Sequence, residues 1–261
     1  MKLEILEYKF YDDTLRNVYI LKPEKLDENK QYKTLYMFDG KEVFIESEYT
    51  KANWGIIEAL EKNNIDDLFV IAFDNAKENR LNEYIPYSIT HHNKELKSSF
   101  NEFSKFIIND LIPDLEKKYP LEPNKSSRFL AGSSAGAWST LAFAANYKDI
   151  FSIYGLFSLA SWIAKMSKAK DFIEYIDECG LDKDSKYFVY VGDKEGYNKE
   201  FDIETKKVTD AYIHESNRLV KYFKEKNINN YDFIIGENET HSEVSWSKFM
   251  SNFIEFIANN E

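Results

Sequence analysis

Few folds admit the stretch RFLAGSSAGAWSTLAFAANY, residues 128–147. The apolar run Arg128 to Ala131 stops at Gly132-Ser133-Ser134-Ala135-Gly136, and a run of small, helix-favouring residues starts at once. A strand that feeds a helix with no intervening loop must turn sharply. Strand and helix then pack closely, so the residues two before and two after the apex must be small, and Gly132 and Gly136 are. A G-x-S-x-G pattern at a strand–helix junction is how a serine is held on a strained backbone at the carboxyl end of a sheet. Ser134 is then the projecting hydroxyl, and Ser133, one position earlier, points elsewhere.

The rest of the chain supplies the sheet that such a junction needs. Asn17–Leu21, Thr34–Phe38, Leu68–Phe73, Phe151–Phe157, Tyr187–Val191 and Tyr231–Ile235 read as strands. Helical patterns fall between them at Trp54–Lys62, Ala135–Tyr147, Trp162–Glu178 (with Gly180 as the stop), Thr205–Lys226 and Ser245–Ala258. Phe100–Tyr119 is a long amphipathic helix with Phe103, Phe106, Ile107, Leu111 and Leu115 on one stripe, and Pro113 predicts a kink or restart within it. Strand–helix alternation of this kind predicts an α/β fold, a mostly parallel central sheet with helices on both faces. Nothing divides the chain, so a single domain over residues 1–261 is expected. Residues 75–99 show no periodicity, and a loop of that length is more often functional than idle.

Composition narrows the function classes. The 261 residues are 43% hydrophobic, enough for a substantial core. The 20 Phe and 18 Tyr are read as the codon bias of an AT-rich genome ahead of any aromatic binding surface. A net charge of -11 repels phosphate backbones and argues against nucleic acid as a partner. No basic amphipathic stretch suits a membrane surface, and no apolar run reaches spanning length. The N-terminal MKLEILEYKFYDD is broken by charges and does not read as a signal peptide, so a cytoplasmic protein is expected. Cys179 is the one cysteine, which excludes an internal disulfide and a cysteine metal cluster.

A serine hydroxyl needs a base to attack. In the order serine, acid, histidine, the base follows the last strand, and His241 in GENETHSEVSW is there, separated from YDFII by five residues. His91, His92 and His214 are misplaced by chain order. The acid follows YFVYV, where Val191-Gly192-Asp193-Lys194-Glu195 offers two carboxylates. G-x-x-acid spacing selects Glu195, with Asp193 the alternative. Two N–H donors must hold an oxyanion: Ala135 supplies one, and the Phe38-Asp39-Gly40-Lys41 loop supplies the other from Gly40 or Lys41.

Several separated stretches together resemble the esterase D-like, or "putative esterase", branch of the α/β-hydrolases. They are YKTLYMFDGKEVF (32–44), DLFVIAFDNAKENRLNEYIPY (67–87), the block from Phe106 to Trp162, YVGDKEG (190–196) and THSEVSW (240–246). That branch includes S-formylglutathione hydrolases, feruloyl and acetyl-xylan esterases, and trilactone siderophore esterases. The resemblance implies the α/β-hydrolase fold, a serine ester hydrolase with Ser134 and His241 in the matching positions, and a small-molecule ester substrate. It also implies that Arg80, Glu83 and Tyr84 build the pocket wall or brace the long loop, and that Trp162 borders the cleft. The elbow departs from the family's frequent G-x-S-M-G-G, having Ala135 and Ala137 instead. The cationic residues of siderophore esterases and the histidine-rich segment of S-formylglutathione hydrolases are not matched.

The expected chemistry is acyl transfer to Ser134, with proton transfer through His241 and release of the acyl group by water. It needs neither cofactor nor metal. Two other functions fit the same fold: a non-catalytic member that binds a ligand or partner, and an acyltransferase that uses another acceptor than water. A complete set of three residues argues against the first, and product analysis separates the second.

Overall fold

The computed structural model describes residues 1–27, 29–91, 94–167, 169–196, 200–202 and 207–260. Eight strands form one sheet: β1 (Lys2–Lys9), β2 (Leu15–Lys22), β3 (Thr34–Phe38), β4 (Phe69–Phe73), β5 (Arg128–Ser133), β6 (Ile153–Phe157), β7 (Lys186–Gly192) and β8 (Tyr231–Gly236). Their spatial order is β1-β2-β4-β3-β5-β6-β7-β8. The pairs β1–β2 and β2–β4 are antiparallel, and from β4 onward every pairing is parallel. This is the α/β-hydrolase fold. The residues of β3, β4 and β6 are buried throughout, as parallel strands covered on both faces must be.

The helices are α1 (Gly40–Phe44), α2 (Ile56–Lys62), α3 (Arg80–Tyr84), α4 (Phe100–Phe106), α5 (Ile112–Lys118), α6 (Ala135–Asn146), α7 (Trp162–Met166), α8 (Phe172–Cys179), α9 (Ala211–Glu225) and α10 (Glu243–Asn259). One side of the sheet carries the larger core, where Phe38, Phe73, Tyr84, Phe103, Trp138 and Phe143 meet under α3, α4, α6 and α9. The other side packs Leu35, Val70, Trp54, Phe157 and Phe253 under α2 and α10. Among the described residues, no helix is long and apolar enough to cross a membrane.

Four expectations are corrected. The N-terminal segment, assigned no element, is edge strand β1. Its exposed Leu3 and Ile5 and its Glu4–Lys22 ion pair blur the alternation that marks a strand. The helix expected from Thr205 starts at Ala211: Asp210 caps it, accepting from Tyr212 N–H at 2.9 Å, and Lys207–Thr209 pairs with Glu200–Asp202 as a small hairpin. Trp162–Glu178 is two helices, because Asp171 caps the second through Ile173 N–H at 2.8 Å. Residues 75–99 hold a short turn, α3 and the hairpin Ile89–His91/Lys94–Leu96, pieces too short to show a period. His92 lies outside the described residues. The restart expected at Pro113 is present: a π-helical turn at Ile107–Leu111 precedes α5 and accommodates the missing proline N–H.

Candidate active site

All the elements of the site leave the carboxyl ends of parallel strands. Ser134 follows β5 at φ 58°, ψ -123°, a conformation side chains rarely adopt. Its N–H donates to Phe157 O at 2.9 Å, and its carbonyl accepts from Trp138 N–H at 3.2 Å and Ala160 N–H at 3.3 Å. Those bonds tie the apex to β6 and α6 and hold the strained turn. The glycines do what the sequence demanded. A Cβ on Gly132 would lie 2.7 Å from the Gly136 backbone, and one on Gly136 would lie 3.3 Å from Asp39 Oδ2.

His241 and Glu195 meet across the β7 and β8 loops, with Nδ1 2.8 Å from Glu195 Oε2. It is Glu195, not Asp193, that reaches the imidazole. Asp193 continues the β7–β8 pairing through its N–H to Gly236 O at 2.9 Å. The Glu195 side chain is fully buried, and its other oxygen accepts from Gly192 N–H at 2.8 Å and Ser158 Oγ at 2.5 Å. Ser158 in turn accepts from Trp246 Nε1 at 2.9 Å. Trp246, Ser158, Glu195 and His241 thus form one hydrogen-bonded chain. Ser158 itself sits at φ 56°, held by its N–H to Tyr190 O at 2.7 Å.

The imidazole is also gripped through its ring. Tyr212 lies against it at 4.4 Å between centroids with 31° between planes, and Trp246 meets it edge-on at 5.2 Å. The Tyr212 hydroxyl faces the Ser134 side chain, and burial raises its pKa above the ordinary phenol value. Asp210 joins this helix start to the acid loop, accepting from both Tyr212 N–H and Gly196 N–H.

Two helix starts converge beside Ser134. Ala135 and Gly40 are the first residues of α6 and α1, where a backbone N–H has no partner within the helix. Lys41 is corrected as a donor, because its N–H is directed to Asp74 Oδ1 at 3.0 Å. Glycine at position 40 would be expected to let the backbone approach the substrate closely, but its smallness has another cause. A Cβ there would meet the β4 backbone and Tyr19 at 2.8 Å, so the residue is small for packing against β4.

Ser134 and His241 open into one cleft of about 280 Å³, shared with Asp39, Glu42, Trp54, Arg80, Glu243 and Trp246. Arg80 grips Asp39 with Nε on Oδ1 and Nη2 on Oδ2, each at 2.7 Å, and Asn75 and Tyr84 hydroxyl add bonds of 2.7 and 3.1 Å. Of the expected wall residues, then, Arg80 lines the cleft. Tyr84 is corrected as a wall residue: it is fully buried, its ring under Arg80 and against Phe38 and Phe103 and its hydroxyl bonded to Asp39. Glu83 does not pair with Arg80; buried, it binds Arg16 at 2.8 Å and Tyr11 at 2.9 Å, bracing α3 against β2. Trp162 is half-buried and packs edge-on against Tyr212 at 5.6 Å, one layer behind the histidine. Sequence reasoning did not single out Asp39 as the partner of Arg80, nor Ser158, Tyr212 or Trp246. His214 belongs to α9, with its ring 3.8 Å from Glu215 and apart from the cleft.

Residues 13–258 match the sequence profile of the family described as Putative esterase. The chain belongs to that family. Membership places it among carboxylic ester hydrolases. This esterase is 30% identical over 106 residues to an endo-1,4-beta-xylanase/feruloyl esterase of Xylanibacter ruminicola, a match over 40% of this chain and 13% of the far longer relative. It is 24% identical over 234 residues to the uncharacterized protein YjcH of Bacillus subtilis, covering 88% of this chain and 87% of that one. Among solved structures, the enterobactin esterase of Shigella flexneri superposes with a TM-score of 0.72 at 11% identity, over 100% of this esterase and 58% of that chain.

Proposed function

We propose that this esterase hydrolyses a small-molecule carboxylic ester through an acyl-enzyme on Ser134. The observation that carries this reading is the Glu195–His241 bond of 2.8 Å at a cleft that also exposes the strained Ser134. In the first half-reaction Ser134 Oγ attacks the ester carbonyl while His241 Nε2 takes its proton, and the imidazolium is stabilised by buried Glu195. The N–H groups of Ala135 and Gly40 receive the oxyanion, each such donor supporting on the order of 10²–10³ in turnover. His241 then protonates the departing alcohol. A water, deprotonated by the same nitrogen, attacks the acyl carbon and frees the acid and Ser134. Tyr212 and Trp246 fix the imidazole plane, and Ser158 fixes the acid.

The test is hydrolysis of a panel of short acyl esters by the purified protein beside Ser134→Ala. The expected result is turnover in the wild type, and loss of at least about 10³ in kcat in the variant with an unchanged melting curve. Equal turnover in both would overturn the assignment of Ser134.

A further inference from the structure

Carboxylates outnumber cations in the cleft. Asp39, Glu42 and Glu243 line it, and the guanidinium among its lining residues is Arg80, which is paired with Asp39 through Nε and Nη2. Glu42 lies near Asp39, Asp74 and the Asp39-paired Arg80, and burial together with the two neighbouring carboxylates holds its pKa above the ordinary value. Lys41 and Lys77 act on Asp74. Glu243 is fixed by a neutral donor, the Thr50 hydroxyl, at 2.9 Å. Two indoles, Trp54 and Trp246, line the same cleft with their rings 5.4 Å apart. Carboxylates beside aromatic rings favour a cation and oppose an anion. The net charge of -11 steers small ions in the same sense.

We propose that the cleft selects its ester by charge: it takes small esters carrying a positively charged group, such as an ammonium, over neutral isosteres, and rejects esters carrying a carboxylate or phosphate. Glu42 and Glu243 are the residues that set this order. The proposal rests on the ester-hydrolase reading of Ser134 and His241.

The experiment compares three acetate esters of matched length: choline acetate, its uncharged carbon isostere, and the acetate of a hydroxy acid. A parallel series places the same three end groups on the acyl side of an aryl ester. Released acid or phenol is followed for the wild type and for Glu42→Gln/Glu243→Gln. In at least one series kcat/KM should fall from cation to neutral to anion, by at least about tenfold overall and mainly through KM. Raising salt to about 0.5 M should compress the order, as screening of a partly exposed charge requires. The double variant should narrow the spread to within about threefold. Equal rates across both series, or fastest hydrolysis of the anion, would overturn charge selection while the turnover itself upheld the hydrolase reading. No turnover of any ester beyond that of Ser134→Ala would overturn both.

Discussion

Ser158→Ala removes one oxygen from the middle of the hydrogen-bonded chain that ends on His241. That oxygen donates to Glu195 at 2.5 Å and accepts from the Trp246 indole at 2.9 Å. A bond to a charged group is worth about 1.5–3 kcal/mol, and a buried donor left without a partner costs about 1–3 kcal/mol. The two losses overlap, so the variant should be less stable by roughly 3–5 kcal/mol. For a chain of this size that is a fall in Tm of roughly 6–20 °C. Glu195 keeps Gly192 N–H on the same oxygen, so the acid stays buried but is less firmly aimed, and kcat should drop about tenfold with little change in KM. Two controls isolate the cause. Ser158→Gly loses the same bonds but relieves the φ of 56°, and should be about 1 kcal/mol more stable than the alanine variant. Trp246→Phe should cost about 1–2 kcal/mol less in the Ser158→Ala background than in the wild type, since the indole N–H has already lost its acceptor. Urea unfolding followed by circular dichroism gives the energies, and ester turnover gives kcat. A Ser158→Ala protein within about 0.5 kcal/mol of wild type, with full activity, would refute the chain as the support of the acid.

Three further substitutions probe other parts of the account. Gly132→Ala drives a Cβ to 2.7 Å from the Gly136 backbone and 2.9 Å from Phe38, and should cost about 3 kcal/mol in urea unfolding and abolish turnover by opening the elbow. Arg80→Met strands the buried Asp39 with only Asn75 and Tyr84, and should destabilise by about 3 kcal/mol, much of it recovered in the pair with Asp39→Asn; a fully additive pair would contradict the ion-pair account. Glu42 carries a raised folded-state pKa, so the fold favours its protonated form. That stability is complete below the ordinary glutamate value of 4.5 and is lost as pH rises through the raised value. Glu42→Gln should therefore raise Tm at pH near 7, with the gain vanishing at pH near 4; a gain that grows on acidification would contradict the sign.

What the sequence disclosed follows from the strength of each local signal. Thr34–Phe38 and the start of α6 at Ala135 were legible to the residue, because buried parallel strands are unbroken apolar runs and the elbow tolerates only small neighbours, while β5 ran two residues past the expected Ala131. Glu195 and His241 could be proposed because each lies in the loop that follows a strand's carboxyl end, β7 and β8 respectively. Strand β1 was hidden, since an edge strand with exposed Leu3 and Ile5 shows no clean alternation. The starts of α8 and α9 were available in principle: Asp171 and Asp210 are cap residues ahead of apolar patterns. Ser158 could not be found this way, because its role depends on a positive φ and on Glu195 and Trp246, partners distant in sequence. Tyr212 likewise belongs to the site only because α9 carries it across to the β8 loop. Arg80 and Glu83, neighbours on α3, serve Asp39 and Arg16 respectively, a divergence set by tertiary packing.

The most direct measurement of the central claim is intact-mass and peptide mapping after reaction with a fluorophosphonate. The account predicts one adduct per chain, located on Ser134, forming rapidly in the wild type and slowed by at least about 10³ in His241→Ala. An unlabelled but folded wild-type protein, or an adduct on another residue, would contradict it.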